Sequence, residues 1–535
     1  MKLPEFSDDA SPEFADAAQC KEWLQSVPLA NVSTAQRELL GELDEFNRFP
    51  AKPAERLAVM ETVREAVHFV QVEQVKRFAN RALPMTEAEA TAFDDTIELW
   101  EQMQVGYSHC LESAVAGEGG VRSQAALICQ RILACVGLKM FYSYRAYREV
   151  PKHDWRALHE AYASAERLGV AESGVKDVMN RDVHDSSPRI AYARAVLMGM
   201  CSPNELGQRA LNFVSFLLER WASKLEVEGS RVDEGEGLAP LVADLEGEAC
   251  PERIDNPPAG KGVRYLDTRG LAKSLRNRVG LLRKGETPAK LALGEDCVQP
   301  SCEQQLVHLY RQWCQARPGR GAERKRAPAA AQVCNDFAAI HYYIGGKGFH
   351  QPVEQKELTQ KEREQIATFG RVSTREDDDY SNVHGFLVEN WEIEDESAQG
   401  LRIVRRAGTA GKRYGHGQLV AVRPADAKSF MLGQVRWLMG GETGDLHAGL
   451  KLLAGVPGAV SVRPTGLNVQ SEKFVQALSL GAVAALNQPT TLVLPTGWFK
   501  PKRVIELFTD TEHNVRLLEV VERGSDFERV TYERA

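Results

Sequence analysis

Trp391-Glu-Ile-Glu-Asp-Glu-Ser-Ala-Gln-Gly-Leu-Arg-Ile403 decides how this chain is read. Trp391 and Ile393 alternate with Glu392 and Glu394, the period-two pattern of a half-buried strand. A polar run follows, Asp395-Glu-Ser397-Ala-Gln-Gly400, and then Leu401 and Ile403 take up a second strand. Short β-branched and aromatic runs continue downstream at 419–422, 433–438, 490–494 and 515–521, separated by glycine turns. An antiparallel barrel or sandwich fits this pattern better than a βαβ fold. The strand-like pattern begins near Ala329. The charged, helix-like segment 354–368 and the acidic loop 375–380 interrupt it.

Upstream the texture is helical. Leu57, Met60, Val63, Val67, Val70 and Phe78 recur at helical spacing, and 155–168 and 203–225 read as further amphipathic helices. Capping boxes are expected at Ser33/Gln36 and Thr86/Glu89, and an N-cap at Ser11 before Pro12. Such helices pack as antiparallel hairpins. Gly, Pro, Glu and Asp crowd residues 229–262, which marks a loop-rich crossing, and 271–282 and 304–315 return to helical periodicity. The expected fold is therefore α+β and multidomain. It has a helical domain at 1–228, a mixed connecting segment at 229–317, a β-barrel at 318–455 with an insertion at about 345–388, and a β-rich extension at 456–535.

A net charge of −8 argues against a general nucleic-acid binder, which carries a basic face. The N-terminal MKLPEFSDDASPEF is acidic and has no apolar core, so it does not read as a secretory signal. The longest apolar stretch, 125–141, is broken by Gln130, Arg131 and Lys139, so no transmembrane segment is expected and the location reads as cytoplasmic. Ten cysteines are scattered singly. Cys297, Cys302 and Cys314 have no CxxC or His-x-x-x-His beside them, so no metal site is expected.

Four segments in order carry a family resemblance. Asp395-Glu-Ser397-Ala-Gln-Gly400 resembles the DxSxxG signature of PilZ domains. Gly417 to Val422 resembles that family's G-x-x-V-x-V strand, Gly433-Gln-Val-Arg-Trp437 its G-x-V-x-W strand, and Gly449-Leu-Lys-Leu-Leu453 its closing strand. Arg320-Gly-Ala-Glu-Arg324, with Arg326 beside it, resembles the family's upstream RxxxR element. The interval from Arg324 to Asp395 is 71 residues, so the insertion must loop out between strands for the two elements to converge.

The resemblance implies a cyclic di-GMP receptor, in an atypical form with a helical N-terminal domain. The implied ligand-binding residues are Arg320, Arg324, Arg326, Asp395, Ser397 and Gly400. Their chemistry suits a ligand with two phosphates and two guanines. Arginine forks phosphate, pairs with the O6/N7 edge of guanine and stacks on bases. Aspartate accepts from base N–H donors, and a serine hydroxyl adds one adaptable bond. Glycine permits close backbone approach. Trp437 reads as barrel core.

No GGDEF or EAL signature is present, Gly345-Gly-Lys-Gly348 lacks P-loop spacing, and Gly440 to Gly444 reads as a turn. Arg181 to Ser187 reads as a helix-capping loop and not a triad. No catalytic residue and no cofactor beyond the cyclic di-GMP ligand is expected. The receptor would couple ligand binding to a protein partner through the helical domain, with motility, pilus or surface-attachment control as the family's implied outputs. The other reading is an interaction scaffold whose degenerate barrel binds no nucleotide, with the arginines a solvated basic linker.

Overall fold

The computed structural model describes residues 3–118, 120–233, 235, 238–295, 297–315, 329–352, 380–397, 399–441, 443–465 and 473–535. The chain divides into two compact units, one of residues 1–81 and 85–321 and the other of residues 82–84 and 322–535.

The first unit is mainly helical. It opens with α1 (Ala17–Ser26), α2 (Val32–Arg48), α3 (Pro53–Gln74), α4 (Glu87–Ala116), α5 (Ala125–Arg145) and α6 (Lys152–Arg167). The hairpin β1 (Val175–Lys176) and β2 (Asp185–Ser186) leads into α7 (Pro188–Met200) and α8 (Gln208–Trp221). Thr86 and Glu89 form the expected capping box at the start of α4. Ser187 caps α7 by accepting from the Ile190 amide. Two expected caps are replaced. Asp16, not Ser11, starts α1, because its carboxylate accepts from two exposed amides, those of Ala18 and Gln19. Asn31 starts α2 by accepting from Thr34, which leaves Ser33 inside the helix.

α5 continues a short turn into the 25-residue apolar run Val121–Arg145, long and apolar enough to cross a membrane. In this fold it is the central helix of the bundle, and its polar residues are paired within the protein. Arg131 bridges to Glu61 at 2.8 Å and Lys139 to Asp154 at 2.6 Å. Gln130 donates to Asp177, which also pairs with Arg64 at 2.9 Å. Removing one partner of such a buried pair destabilises strongly, so these contacts fix which face of α5 turns to which neighbour. The same unit continues into β3 (Glu226–Glu228), β4 (Leu241–Asp244), β5 (Glu252–Arg253) and β6 (Val263–Asp267), a sheet of order β3-β6-β4-β5. The helix pair α9 (Arg269–Arg283) and α10 (Ser301–Cys314) follows.

The second unit holds two closed six-stranded antiparallel barrels. The first comprises β7 (Ala329–Cys334), then, after helix α11 (Phe337–Gly345), β8 (Glu389–Ser397), β9 (Gly400–Arg405), β10 (Leu419–Pro424), β11 (Met431–Gly440) and β12 (Leu446–Leu452). Their order round the barrel is β10-β11-β12-β9-β8-β7, with β7 closing onto β10. The second comprises β13 (Pro457–Pro464), β14 (Val475–Leu480), β15 (Thr491–Pro495), β16 (Val504–Phe508), β17 (Glu512–Arg523) and β18 (Phe527–Arg534). Closure removes the unpaired strand edges that invite aggregation. α11 joins the barrels. Ala339 and Ile340 share one buried cluster with Leu419, Ala421 and Leu432 of the first barrel and Leu478, Leu480 and Phe527 of the second. The residues between β7 and β8 do not disturb their pairing: Ala329 lies opposite Ile393 and Val333 opposite Glu389.

Inside the first barrel a charged pair is fully enclosed. The Arg405 guanidinium lies 2.6 Å from the Glu389 carboxylate, with both side chains about as buried as the apolar core. Glu389 also accepts from the Trp391 indole and the Lys412 amide. Arg405 sits over the rings of Trp391 and Tyr414.

Candidate ligand-binding face of the first barrel

The hairpin expected from Trp391 to Ile403 is β8–β9, with Ser397 paired to Gly400 across the turn. Strict alternation along β8 would place Trp391, Ile393, Asp395 and Ser397 on one side, inside the barrel. The register prevents this. Ile393 pairs with Ile403, but Asp395 pairs with Arg402, so Glu394 is an extra residue in a bulge. After the bulge the parity reverses, and Asp395 and Ser397 face outward with Arg402 and Gly400. The reversal also gives Glu396, paired with buried Leu401, the inward parity, at the end of the strand where it stays partly exposed.

β11 does the same. Val435 pairs with Leu450 and Trp437 with Gly449, which leaves Arg436 as the extra residue. Val435 and Leu438 point inward and are fully buried, while Trp437 turns outward. The expectation that Trp437 belongs to the barrel core is therefore wrong. The bulge that re-aims it is not visible in strand alternation alone.

Register then sets four residues in one lateral row: Asp395 opposite Arg402, Arg402 opposite Gly449, and Gly449 opposite Trp437. Three strand spacings make this row about 14 Å long. The next row holds Ser397, Gly400 and Lys451. Arg402 lies 2.5 Å from Glu394 and its guanidinium is 5.8 Å from the Trp437 ring centre. Glu394 also approaches His447, 3.6 Å away. The Ser397 hydroxyl donates to the Gly400 carbonyl at 3.2 Å and keeps its lone pairs for a further donor. Arg436 is exposed, with no ion pair or hydrogen bond among the described residues.

Two glycines make the face flat. A Cβ on Gly449 would stand 1.9 Å from the Trp437 Nε1, so the indole lies across this glycine. A Cβ on Gly400 would stand 2.5 Å from the Leu450 carbonyl oxygen, so Gly400 is required by the approach of β12. The arrangement offers a half-exposed aromatic ring, a guanidinium beside it, an unpaired arginine, a carboxylate and a hydroxyl. Together they can stack a planar base, hold an anion and accept from ring N–H groups.

Asp395, Ser397 and Gly400 are thus brought together at one turn. Arg320, Arg324 and Arg326 lie outside the described residues. Strand alternation alone does not bring Arg402, Arg436 and Trp437 to this candidate face. The consecutive acids Glu394 and Asp395 in an otherwise alternating strand are the one sequence signal of the bulge that creates the site.

Comparison with known proteins finds two family matches and one relative. Residues 18–232 match the family described as the N-terminal domain of cyclic-di-GMP receptor FimW, and residues 460–535 match the FimW C-terminal beta-barrel domain. The chain is also similar to the cyclic-di-GMP receptor FimW of Pseudomonas aeruginosa. The two are 22% identical over 530 residues, spanning 91% of this chain and 84% of that protein. These likenesses support kinship with a family of cyclic di-GMP receptors. The two family matches flank the first barrel and do not include it.

Proposed function

We propose that this protein is a cyclic di-GMP receptor, that its first barrel is PilZ-like, and that the ligand occupies the outward face built on Asp395, Ser397, Arg402 and Trp437. The row that the two bulges turn outward carries this reading. The covalent course of the chain adds to it. β7 begins at Ala329, whose partner Ile393 is two residues from Asp395. Arg326 is three residues before Ala329, a reach of at most ~11 Å, and Arg324 five, at most ~18 Å. That reach is short enough for arginines at these positions to serve the same ligand, and Arg320, Arg324 and Arg326 are assigned to its phosphates and guanine edges.

The role is that of a non-enzymatic effector. Binding neutralises the arginines next to the entry strand, and a protein partner reads the result through the helical domain. A ligand shifts such an equilibrium only by its differential affinity for the two arrangements. The outputs implied by the PilZ resemblance are motility, pilus and surface-attachment control. One observation favours the rival scaffold reading: Arg402 is already engaged by Glu394, so a ligand must compete for it.

Calorimetric titration of the full chain with cyclic di-GMP tests the proposal. Micromolar or tighter binding, about −8 kcal/mol or better, is expected. An absence of heat at high protein concentration rejects it in favour of the scaffold.

A further inference from the structure

The chain is acidic overall, with a net charge of −8, yet residues 269–284 contain six basic residues and no acidic one. They form α9 and its C-cap. The helix buries Leu271, Ala272, Leu275 and Leu282 against the core of the first unit. Arg269, Lys273, Arg276, Arg283 and Lys284 are all exposed. Their spacing repeats every three or four residues, with Gly280 filling the one gap, so they lie in a single stripe. The stripe runs about 22 Å along the helix.

α10 extends the charge. Tyr310 lies under the Arg276 guanidinium, at 5.8 Å, and Arg311 next to it is exposed. Arg269 pairs with Asp267 and Arg283 with Glu303, each at 2.7 Å. Lys273, Lys284 and Arg311 have no ion-pair partner among the described residues. Gly280 is informative in a different way. A Cβ there would meet nothing within 4 Å, so packing does not require glycine, although glycine weakens a helix by ~1 kcal/mol relative to alanine. It leaves a notch in the middle of the cationic stripe.

We propose that the α9–α10 face is a peripheral docking surface for an anionic lipid bilayer. The exposed residues of α9 are charged, polar or glycine, namely Arg269, Gly270, Lys273, Arg276, Asn277, Arg283 and Lys284. Protein–protein interfaces concentrate their binding energy in buried aromatic and aliphatic anchors, and the exposed part of this helix has none. Adsorption to phosphate headgroups needs only closely spaced cations, each worth ~1 kcal/mol near an anionic surface. Because screening confines the interaction to about 10 Å, the local stripe and not the overall negative charge sets its sign. The helix lies on the headgroups without inserting, since its apolar side is occupied by the protein's own core.

The test is cosedimentation of the full chain with phosphatidylcholine vesicles, with and without phosphatidylglycerol. Binding is expected only when phosphatidylglycerol is present, and it should fall as salt is raised. Lys273→Gln, Lys284→Gln and Arg311→Gln should each weaken partitioning about fivefold. Lys273→Glu/Lys284→Glu should abolish it, while urea denaturation and cyclic di-GMP affinity stay unchanged. No sedimentation with phosphatidylglycerol at low salt overturns the proposal, as does equal sedimentation of wild type and the charge-reversed variant. A polyglutamate peptide that binds these same cations while vesicles do not would instead assign the face to an acidic protein segment.

Discussion

Gly449→Ala is the most informative single change in the first barrel. The added methyl would stand 1.9 Å from the Trp437 Nε1 and within 2.5 Å of two more indole carbons. Ordinary contact begins near 3.4 Å, so the ring must retreat about 1.5 Å or leave its seat. Overpacking of this size costs ~1–3 kcal/mol, partly offset by the ~0.4–1 kcal/mol that alanine removes from the freedom of the unfolded chain. A modest net destabilisation is therefore expected in urea denaturation. The larger effect falls on the face. The ring moves relative to Arg402 and can no longer present the same surface to a stacked base, so cyclic di-GMP affinity should drop by tenfold or more. A double-mutant cycle isolates the cause. In a Trp437→Ala background there is no ring to displace, and Gly449→Ala should have little further effect on binding. If Gly449→Ala binds with wild-type affinity, or if it weakens binding equally with and without the indole, then Trp437 is not part of the binding surface.

The remaining predictions concern the ligand, the core and pH. Trp437→Ala alone should cost ~1–3 kcal/mol of cyclic di-GMP affinity in calorimetry, the usual worth of one aromatic stacking partner. Arg320→Ala and Arg324→Ala should each lose roughly 1.5–3 kcal/mol and Arg326→Ala less, because the first two hold the matched spacing; three silent substitutions would reject the arginine assignment. Glu389→Ala strands Arg405 inside the barrel and should destabilise it by ~3–5 kcal/mol in urea denaturation, with Glu389→Gln milder. Asp526, whose carboxylate accepts from the Leu419 amide where the two barrels meet, is pushed by burial up to about 6. A raised carboxyl pKa means the folded state holds its proton more tightly. The stabilisation is full below the ordinary value near 3.8 and is lost as pH rises through about 6. Comparing Asp526→Asn with wild type at pH 5 and pH 7.5 should show the variant losing less stability over that interval.

Much of the architecture can be read from local pattern. The helices of the first unit follow apolar spacing, and the capping box at Thr86 and Glu89 sits where side-chain chemistry requires. The strands of both barrels follow alternation and glycine turns. Barrel closure is less legible, because the pairing of β7 with β10 joins residues far apart in sequence. The candidate site is half legible. Asp395, Ser397 and Gly400 form a legible motif, but their neighbours Arg402, Arg436 and Trp437 do not. Their inclusion depends on cross-strand register, which one strand's sequence does not encode. The Arg405–Glu389 pair shows the same limit. Each residue looks like a surface charge until the barrel closes around both.

A sheet, like a coding sequence, has a reading frame, and its frame has two letters. Every residue beyond Glu394 in β8, and beyond Arg436 in β11, is read in the opposite frame from the residues before it. The proposed binding face is thus lost not only by changing its residues but also by removing one that need not touch the ligand. Deleting Glu394 would return Asp395 and Ser397 to the interior, and deleting Arg436 would do the same to Trp437. Two frameshifts of one residue each separate a barrel that displays this face from one that hides it. A related barrel could lose ligand recognition by a single-codon deletion while every motif residue remained in place.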